Sequence, residues 1–389
     1  MHRASIAFSY VAFILVGLSA GIGGVLLVAQ IADYDVSRAE IGISFFTGSV
    51  GFFSASSVSG PLVHRLGTRF ALAVGGGMFV MAALYLGTRP PFLAFLVVQL
   101  AVGFATGVLE SVLNSYVALL PEATTRLNRL HAFFGVGALL GPILATWMLG
   151  FAEWTAVWLV LAAACVPLCL GFLLTFPRQR QTIESTGGTG LLRPVLRQRA
   201  IVLGAVLLAV YVGLEIGMGN WGFSYLVQER GRPEMIAGYA VSGYWLGLTL
   251  GRFLISPIAA RVGATQVGLM YAALGGVAVS AVFIWLVPVA AAAAAGMVVL
   301  GFFLGPVFPT TMAVVPQLTT ERLVPAAIGV LNAGSVVGGS ALPWLAGVLA
   351  QGAGMWTLLP FTVVLGVIQL AVWWRMTRWM PRAEPALDN

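Results

Sequence analysis

The sequence predicts an all-α membrane protein: twelve transmembrane helices in two parallel, pseudo-symmetric six-helix bundles. Three observations carry this: a composition that no water-soluble fold can use, twelve apolar runs of bilayer length, and an internal repeat half a chain apart. Of 389 residues, 59% are apolar and 8% charged, and the mean hydropathy is +0.97. A soluble domain is about 45–50% apolar and about 25% charged, so a cytosolic enzyme of this size would have nothing to cover its surface with. At about 20 apolar residues per crossing, the length is used up by a dozen helices and short loops.

Apolar runs bounded by charge, Pro or Gly fall at 5–30, 40–62, 68–88, 92–120, 131–150, 154–176, 200–227, 236–257, 265–287, 291–315, 324–349 and 354–376. Each is expected as a helix, because backbone groups in hydrocarbon must be paired within their own segment. The first run follows only His2 and Arg3 and has no small-residue cleavage site after it; it reads as a retained span and not a signal peptide. Between the sixth and seventh runs, residues 177–199 hold Pro177, Gly187, Gly188 and Gly190 among five Arg. This reads as a flexible polar linker between an N-terminal bundle at 1–176 and a C-terminal bundle at 200–389.

All twenty basic residues are Arg, scattered in ones and twos between the apolar runs. Such scatter marks membrane topology, not a nucleic-acid surface. Counted on alternate sides, fifteen (Arg3, Arg65, Arg69, Arg126, Arg129, Arg178, Arg180, Arg193, Arg197, Arg199, Arg261, Arg322, Arg375, Arg378, Arg382) fall on one side and four (Arg38, Arg89, Arg230, Arg232) on the other. The positive-inside rule then places both termini in the cytoplasm of a multi-pass cell (inner) membrane protein and requires an even number of spans. Cys165 and Cys169, one helical turn apart in an apolar run, have neither disulfide nor metal spacing; no metal and no cofactor is expected.

The two halves repeat each other. Val16-Gly17-Leu18 with Gly21 and Gly23 in span 1 matches Val212-Gly213-Leu214 with Gly217 and Gly219 in span 7 at an offset of 196 (212 − 16), and the same offset relates Pro61, Arg65 and Gly67 to Pro257, Arg261 and Gly263. Gly103-Phe104 with Gly107 in span 4 parallels Gly301-Phe302 with Gly305 in span 10 at an offset of 198 (301 − 103). A six-span unit repeated in the same orientation is a transporter architecture with its substrate site near mid-membrane between the halves.

An ionisable side chain in the bilayer costs at least about 2.5–3.5 kcal/mol and needs a partner, water or a proton. Three such residues lie inside the spans: Glu110, Glu215 and Arg252. In span 4, Gln99, Gly103, Thr106, Gly107, Glu110 and Asn114 share an arc of about 100°, a polar and small-residue stripe suited to lining a cavity. Packing against a neighbouring helix is the plainer alternative for Glu110; as a cavity acid it would load and release a proton. Glu215 in span 7 is a second such acid. The glycines Gly217, Gly219 and Gly222 beside it are expected either to loosen the helix, bringing Asn220 and Trp221 toward the cavity, or to serve close helix packing. In span 8, Trp245, Thr249, Arg252 and Ser256 share an arc of about 60°; Arg252 would snorkel to the surface, pair with a carboxylate or bind an anionic solute. Tyr116, Phe133, Phe134, Tyr244 and Asn332 are weaker candidates, and His131, expected to open span 5, is either a titrating group or a capping residue.

This pattern resembles the major facilitator superfamily. The loop Gly60-Pro61-Leu62-Val63-His64-Arg65-Leu66-Gly67-Thr68-Arg69 is similar to the superfamily's signature between spans 2 and 3, with His64 where Asp is usual; the resemblance implies a conformational latch at His64, Arg65 and Arg69, altered by that His. Glu110-Ser111-Val112-Leu113-Asn114, Tyr244-Trp245-Leu246-Gly247-Leu248-Thr249-Leu250-Gly251-Arg252 and Gly305-Pro306-Val307-Phe308-Pro309-Thr310 are similar to the fucose permease group of sugar:proton symporters. In that group Glu110 would be the proton and substrate group. The group's acid in span 1 has no counterpart around Gly23 and Gly24, a gap that Glu215 would fill, and Phe134 stands where the group has a substrate-binding Asn.

The expectation is therefore a monomeric secondary transporter working by alternating access, a proton-coupled symporter of a sugar or similar neutral hydrophilic solute. Glu110 and Glu215 would couple protons, and Gln99, Asn114, Glu215, Asn220, Trp221, Trp245, Arg252 and Asn332 would bind the substrate. The alternative is proton-coupled efflux of drugs or metabolites, for which Gly137 and Gly141-Pro142 in span 5 resemble an antiporter motif whose trailing Gly is replaced by Ala145. An enzyme would need a nucleophile–base or metal constellation, which three scattered His do not supply.

Overall fold

The computed structural model describes residues 2–177 and 191–379. Span 1 is His2–Tyr34; span 2 is Ile43–Leu66, after a one-turn helix Arg38–Ile41; span 3 is Thr68–Gly87, span 4 Phe92–Ala118, span 5 Ala123–Leu149 and span 6 Trp154–Thr175. Span 7 is Arg199–Ser224 and continues as a π-helical turn, Tyr225–Glu229. Span 8 is Glu234–Arg261, span 9 Gln266–Leu286, span 10 the pair Ala290–Leu304 and Val307–Leu318, span 11 Val324–Ala353 and span 12 Leu358–Thr377. Eleven of these are long and apolar enough to cross a membrane. The twelfth, span 8, is a 28-residue helix whose hydropathy is lowered by Arg252 and by the run Ser242-Gly243-Tyr244-Trp245. Most of the expected linker, residues 178–190 with Arg178 and Arg180, lies outside the described residues, as does Arg382; its end forms a short helix, Leu192–Leu196.

Three local expectations are corrected. Span 10 is not one helix: it breaks at Gly305-Pro306, where proline has no N–H and its ring collides with the preceding turn. Span 5 begins eight residues earlier than its apolar run, at Ala123, because its first two turns are the polar stretch Thr124 to Leu130. His131 thus lies two turns inside the helix, its ring edge-on to Phe13, and not at a cap. Span 7 is continuous through Gly217, Gly219 and Gly222, and its irregularity is the π turn that follows Ser224.

Of these, Gly219 and Gly222 make room for the Trp245 and Met297 side chains and Gly217 meets nothing within 4 Å; many other glycines let backbones touch, the usual basis of helix association where water cannot drive it. A Cβ on Gly17 would strike the Phe134 carbonyl, and one on Gly137 that of Ile14, so spans 1 and 5 are in backbone contact. The corresponding pair in the second half, spans 7 and 11, meets in the same way at Gly213, Gly334 and Gly338. Spans 2 and 4 close on Gly48, Gly51 and Gly103; spans 8 and 10 close on Gly247, Gly251 and Gly301. Among the repeated glycines, the pairs Gly17 with Gly213 and Gly103 with Gly301 are repeated helix contacts of the fold, whereas Gly21 meets the Ala138 carbonyl and its counterpart Gly217 meets nothing within 4 Å.

This fixes a stability prediction. A methyl on Gly338 would coincide with the Ala209 carbonyl, whereas one on Gly275 meets nothing within 4 Å. Gly338→Ala should cost about 3 kcal/mol, the upper end for overpacking. Gly275→Ala, at a mid-helix position, should gain about 0.5–1 kcal/mol. Melting in detergent separates the two, and equal melting temperatures would refute the account.

Candidate functional site

Even numbers of crossings put the described chain ends at one end of the bundle, here the terminal end, and the loops after spans 1, 3, 5, 7, 9 and 11 at the far end. At the far end the halves are sealed. Arg38 donates from Nη2 to Gln228 Oε1 (2.8 Å), from Nη1 to the Ala350 carbonyl (3.4 Å) and from its backbone N–H to Gln351 Oε1 (3.0 Å). A Cβ on Gly24 would lie 2.5 Å from the Gly219 carbonyl oxygen. Phe45 and Phe46 of span 2 meet Trp221 and Trp344 edge-on. Among the described residues, every hydrogen bond between the halves involves Arg38 and none lies at the terminal end.

Between the halves lies a cavity of about 650 Å³. Span 4 supplies Gly103, Thr106, Glu110 and Asn114, four members of the stripe read from the sequence; span 11 supplies Asn332 and Ser335, and span 2 supplies Ser44, Ser49 and Ser56. Phe45, Phe52, Phe53 and Phe308 complete much of the wall. Gly107, the remaining small residue of the stripe, packs on Phe52 and Ala55 instead. The hydroxyls are held by their own helices: Thr106 donates to the Val102 and Gly103 carbonyls and Ser335 to Asn332. Glu110 is the one ionisable group among the described lining residues. It makes no salt bridge there.

The other two membrane charges neutralise each other. Arg252 Nη2 of span 8 donates to Glu215 Oε1 of span 7 at 3.1 Å, with 27% and 12% of the side chains exposed. Tyr244 Oη braces the pair by donating to the Glu215 carbonyl at 2.9 Å, and Tyr211 stands beside it. The break in span 10 helps to hold it, since a Cβ on Gly305 would lie 2.5 Å from the Arg252 backbone nitrogen. Of the three readings for Arg252, pairing with a carboxylate is the one seen. Glu215, expected as a second free acid, is committed to Arg252. The field of Arg252 also reaches Glu110 and His131 across the interface.

Gln99 and Asn220 line a separate cavity of about 160 Å³ toward the far end, and Asn220 Nδ2 donates to the Ile216 carbonyl (2.9 Å). Trp221 is buried and donates to the Pro343 carbonyl (2.8 Å); it belongs to the far-end seal and not to a cavity wall. Trp245 is likewise packing, edge-on to Tyr244 and with its ring against Gly219. Tyr116 packs on Phe176 and Phe133 stacks on Tyr10, while the Phe134 carbonyl lies against Gly17. At the expected latch His64 and Arg65 are exposed. Arg69 lies over the Phe70 ring at 4.9 Å, and none of the three is in a salt bridge among the described residues. Sequence reasoning missed the span 2 wall, although Ser44, Gly48, Phe52 and Ser56 recur every fourth residue, a stripe of the kind recognised in span 4.

The fold has counterparts. The sequence profile of the Major Facilitator Superfamily matches residues 9–231 and 220–388. Bypass of stop codon protein 6 of Saccharomyces cerevisiae is 25% identical over 386 residues, covering 88% of this chain and 76% of that protein. A glucose/galactose transporter of Brucella abortus is 28% identical over 326 residues, 78% of this chain and 77% of its own. Among solved structures, a point mutant of the nucleoside transporter NupG superposes with a TM-score of 0.81 at 14% identity over 97% of this chain and 100% of that one. A bacterial homologue of the human lysosomal transporter Spinster, inward-facing and unoccupied, gives 0.78 at 13% identity over 99% and 98%. A profile matched along nearly the whole chain, by a fold of paired six-helix halves around a central cavity, places this multi-pass membrane transporter in the Major Facilitator Superfamily.

Proposed function

We propose that the protein carries a sugar or similar neutral hydrophilic solute by alternating access, coupled to protons at Glu110. The observation that carries this is the cavity between the halves. Among its described lining residues Glu110 is the one acid, beside amides and hydroxyls, and the membrane cation Arg252 is already neutralised by Glu215. A site without net fixed charge other than one protonatable carboxyl suits a neutral solute and a proton. The glucose/galactose transporter named above supports the solute class. The sealed far end, with no hydrogen bond between the halves at the terminal end among the described residues, supports a state open toward the termini, which the positive-inside count assigns to the cytoplasmic side of a cell (inner) membrane protein. We read the two bundles, 1–176 and 200–389, as the moving bodies and the protein as a monomer.

A ligand that binds the folded state raises its stability, by about 2.7 kcal/mol at a hundredfold excess over Kd. Purified protein should therefore melt several degrees higher with a monosaccharide from a panel of sugars, nucleosides and drugs, tested at two pH values. The four phenylalanines of the wall favour a second reading, efflux of an apolar compound. Stabilisation by hydrophobic cations alone would establish that reading and overturn the first.

A further inference from the structure

The cavity of about 160 Å³ is built unlike the main one. It lies on the far-end side of Phe45, a residue that with Ser44 belongs to the walls of both. Its polar lining is Gln30 of span 1, Gln99 of span 4, Asn220 of span 7, the hydroxyls of Ser19 and Ser44, and the Trp158 indole of span 6. No ionisable residue is among its lining. Trp158 is only 4% exposed and its Nε1 has no hydrogen-bond partner; Gln30 is also 4% exposed. The volume takes about five water molecules at roughly 30 Å³ each, the size class of one small sugar ring. Three carboxamides and two hydroxyls among the lining residues offer donors and acceptors for ring hydroxyls, Asn220 Nδ2 being already engaged by the Ile216 carbonyl.

We propose that this cavity is a second binding position for a neutral polyhydroxylated solute, separate from the main cavity and next to the sealed far end, with the Phe45 ring as the partition between the two. It deepens the sugar-transport reading and rests on it. No ionisable residue takes part in recognition here, so occupancy is independent of the protonation of Glu110. A solute taken up from the far end would pass from a neutral station to a proton-coupled one.

Equilibrium binding of radiolabelled D-glucose to the purified full-length protein tests this. The wild type should take up two equivalents at saturation. Gln30→Met/Gln99→Met, which keeps side-chain length and removes the hydrogen bonds, should take up one; Asn114→Leu, which alters the main cavity, should also take up one, through the site left intact. The two variants check each other's folding, because each must retain one equivalent. One equivalent in the wild type, lost in Asn114→Leu and kept in the double Met variant, would mean that the small cavity holds water only and would overturn this inference while leaving sugar transport standing. No D-glucose binding by the wild type would overturn both.

Discussion

Glu110→Gln is expected to abolish proton-driven accumulation in proteoliposomes, bringing the internal-to-external solute ratio to one, while solute exchange at equal concentrations proceeds within about tenfold of the wild-type rate. Gln keeps the length and hydrogen-bonding shape of the carboxyl but has no proton to release, so the binding surface survives and the energetic link does not. The size of the effect follows from the cavity, where Glu110 is the one ionisable group among the described lining residues; no second acid is placed to take over. Stability should move the other way. Holding an unpaired ionisable group in the membrane costs at least about 2.5–3.5 kcal/mol on insertion scales, and Glu110 has no salt bridge to offset it, so the variant should melt no lower than the wild type. Undiminished uphill uptake by the variant would remove Glu110 from the mechanism. Loss of both uptake and exchange would mean that it binds solute but does not couple it.

The parts of this molecule that were legible in its sequence are those where one dominant free energy writes a pattern. Hydrocarbon demands that backbone groups be paired within helices, and the apolar runs show them; the repeat at Gly17 and Gly213 was readable because backbone contact admits no larger residue. The stripe on span 4 was readable because a polar face on an apolar helix has few other uses. What was not legible depended on partners across space. Glu215 and Arg252 are 37 residues apart, and nothing local says that they neutralise each other and leave Glu110 as the free acid. Trp221 and Trp245 read as substrate-binding residues, yet an indole in a membrane helix serves packing equally well, and only the neighbouring Gly347 and Gly219 reveal which. The run of glycines in span 7 suggested a break for the same reason: glycine permits both a loose helix and a tight contact, and the partner helix decides. Span 2 was overlooked because its serines are ordinary helix residues until a second polar stripe faces them.

The second large effect concerns that pair. Glu215→Gln and Arg252→Met should each destabilise the protein by about 3 kcal/mol, the lower end of the range for leaving one charge of a buried pair alone, since both side chains keep some exposure. The double variant should recover to within about 1 kcal/mol of the wild type, because removing both charges also removes their desolvation cost, and the cycle isolates the coupling between them. Melting temperatures of the four proteins give the result; additive losses would show that the two residues are independent. Transport should then separate the singles. In Glu215→Gln the freed Arg252 becomes a competitor for the Glu110 carboxylate across the interface, so the pH dependence of proton coupling should shift. In the double variant no cation remains to compete, and the pH profile should return to that of the wild type. A profile unchanged in Glu215→Gln would mean that Arg252 does not act on Glu110, and that the ion pair serves the packing of spans 7 and 8 alone.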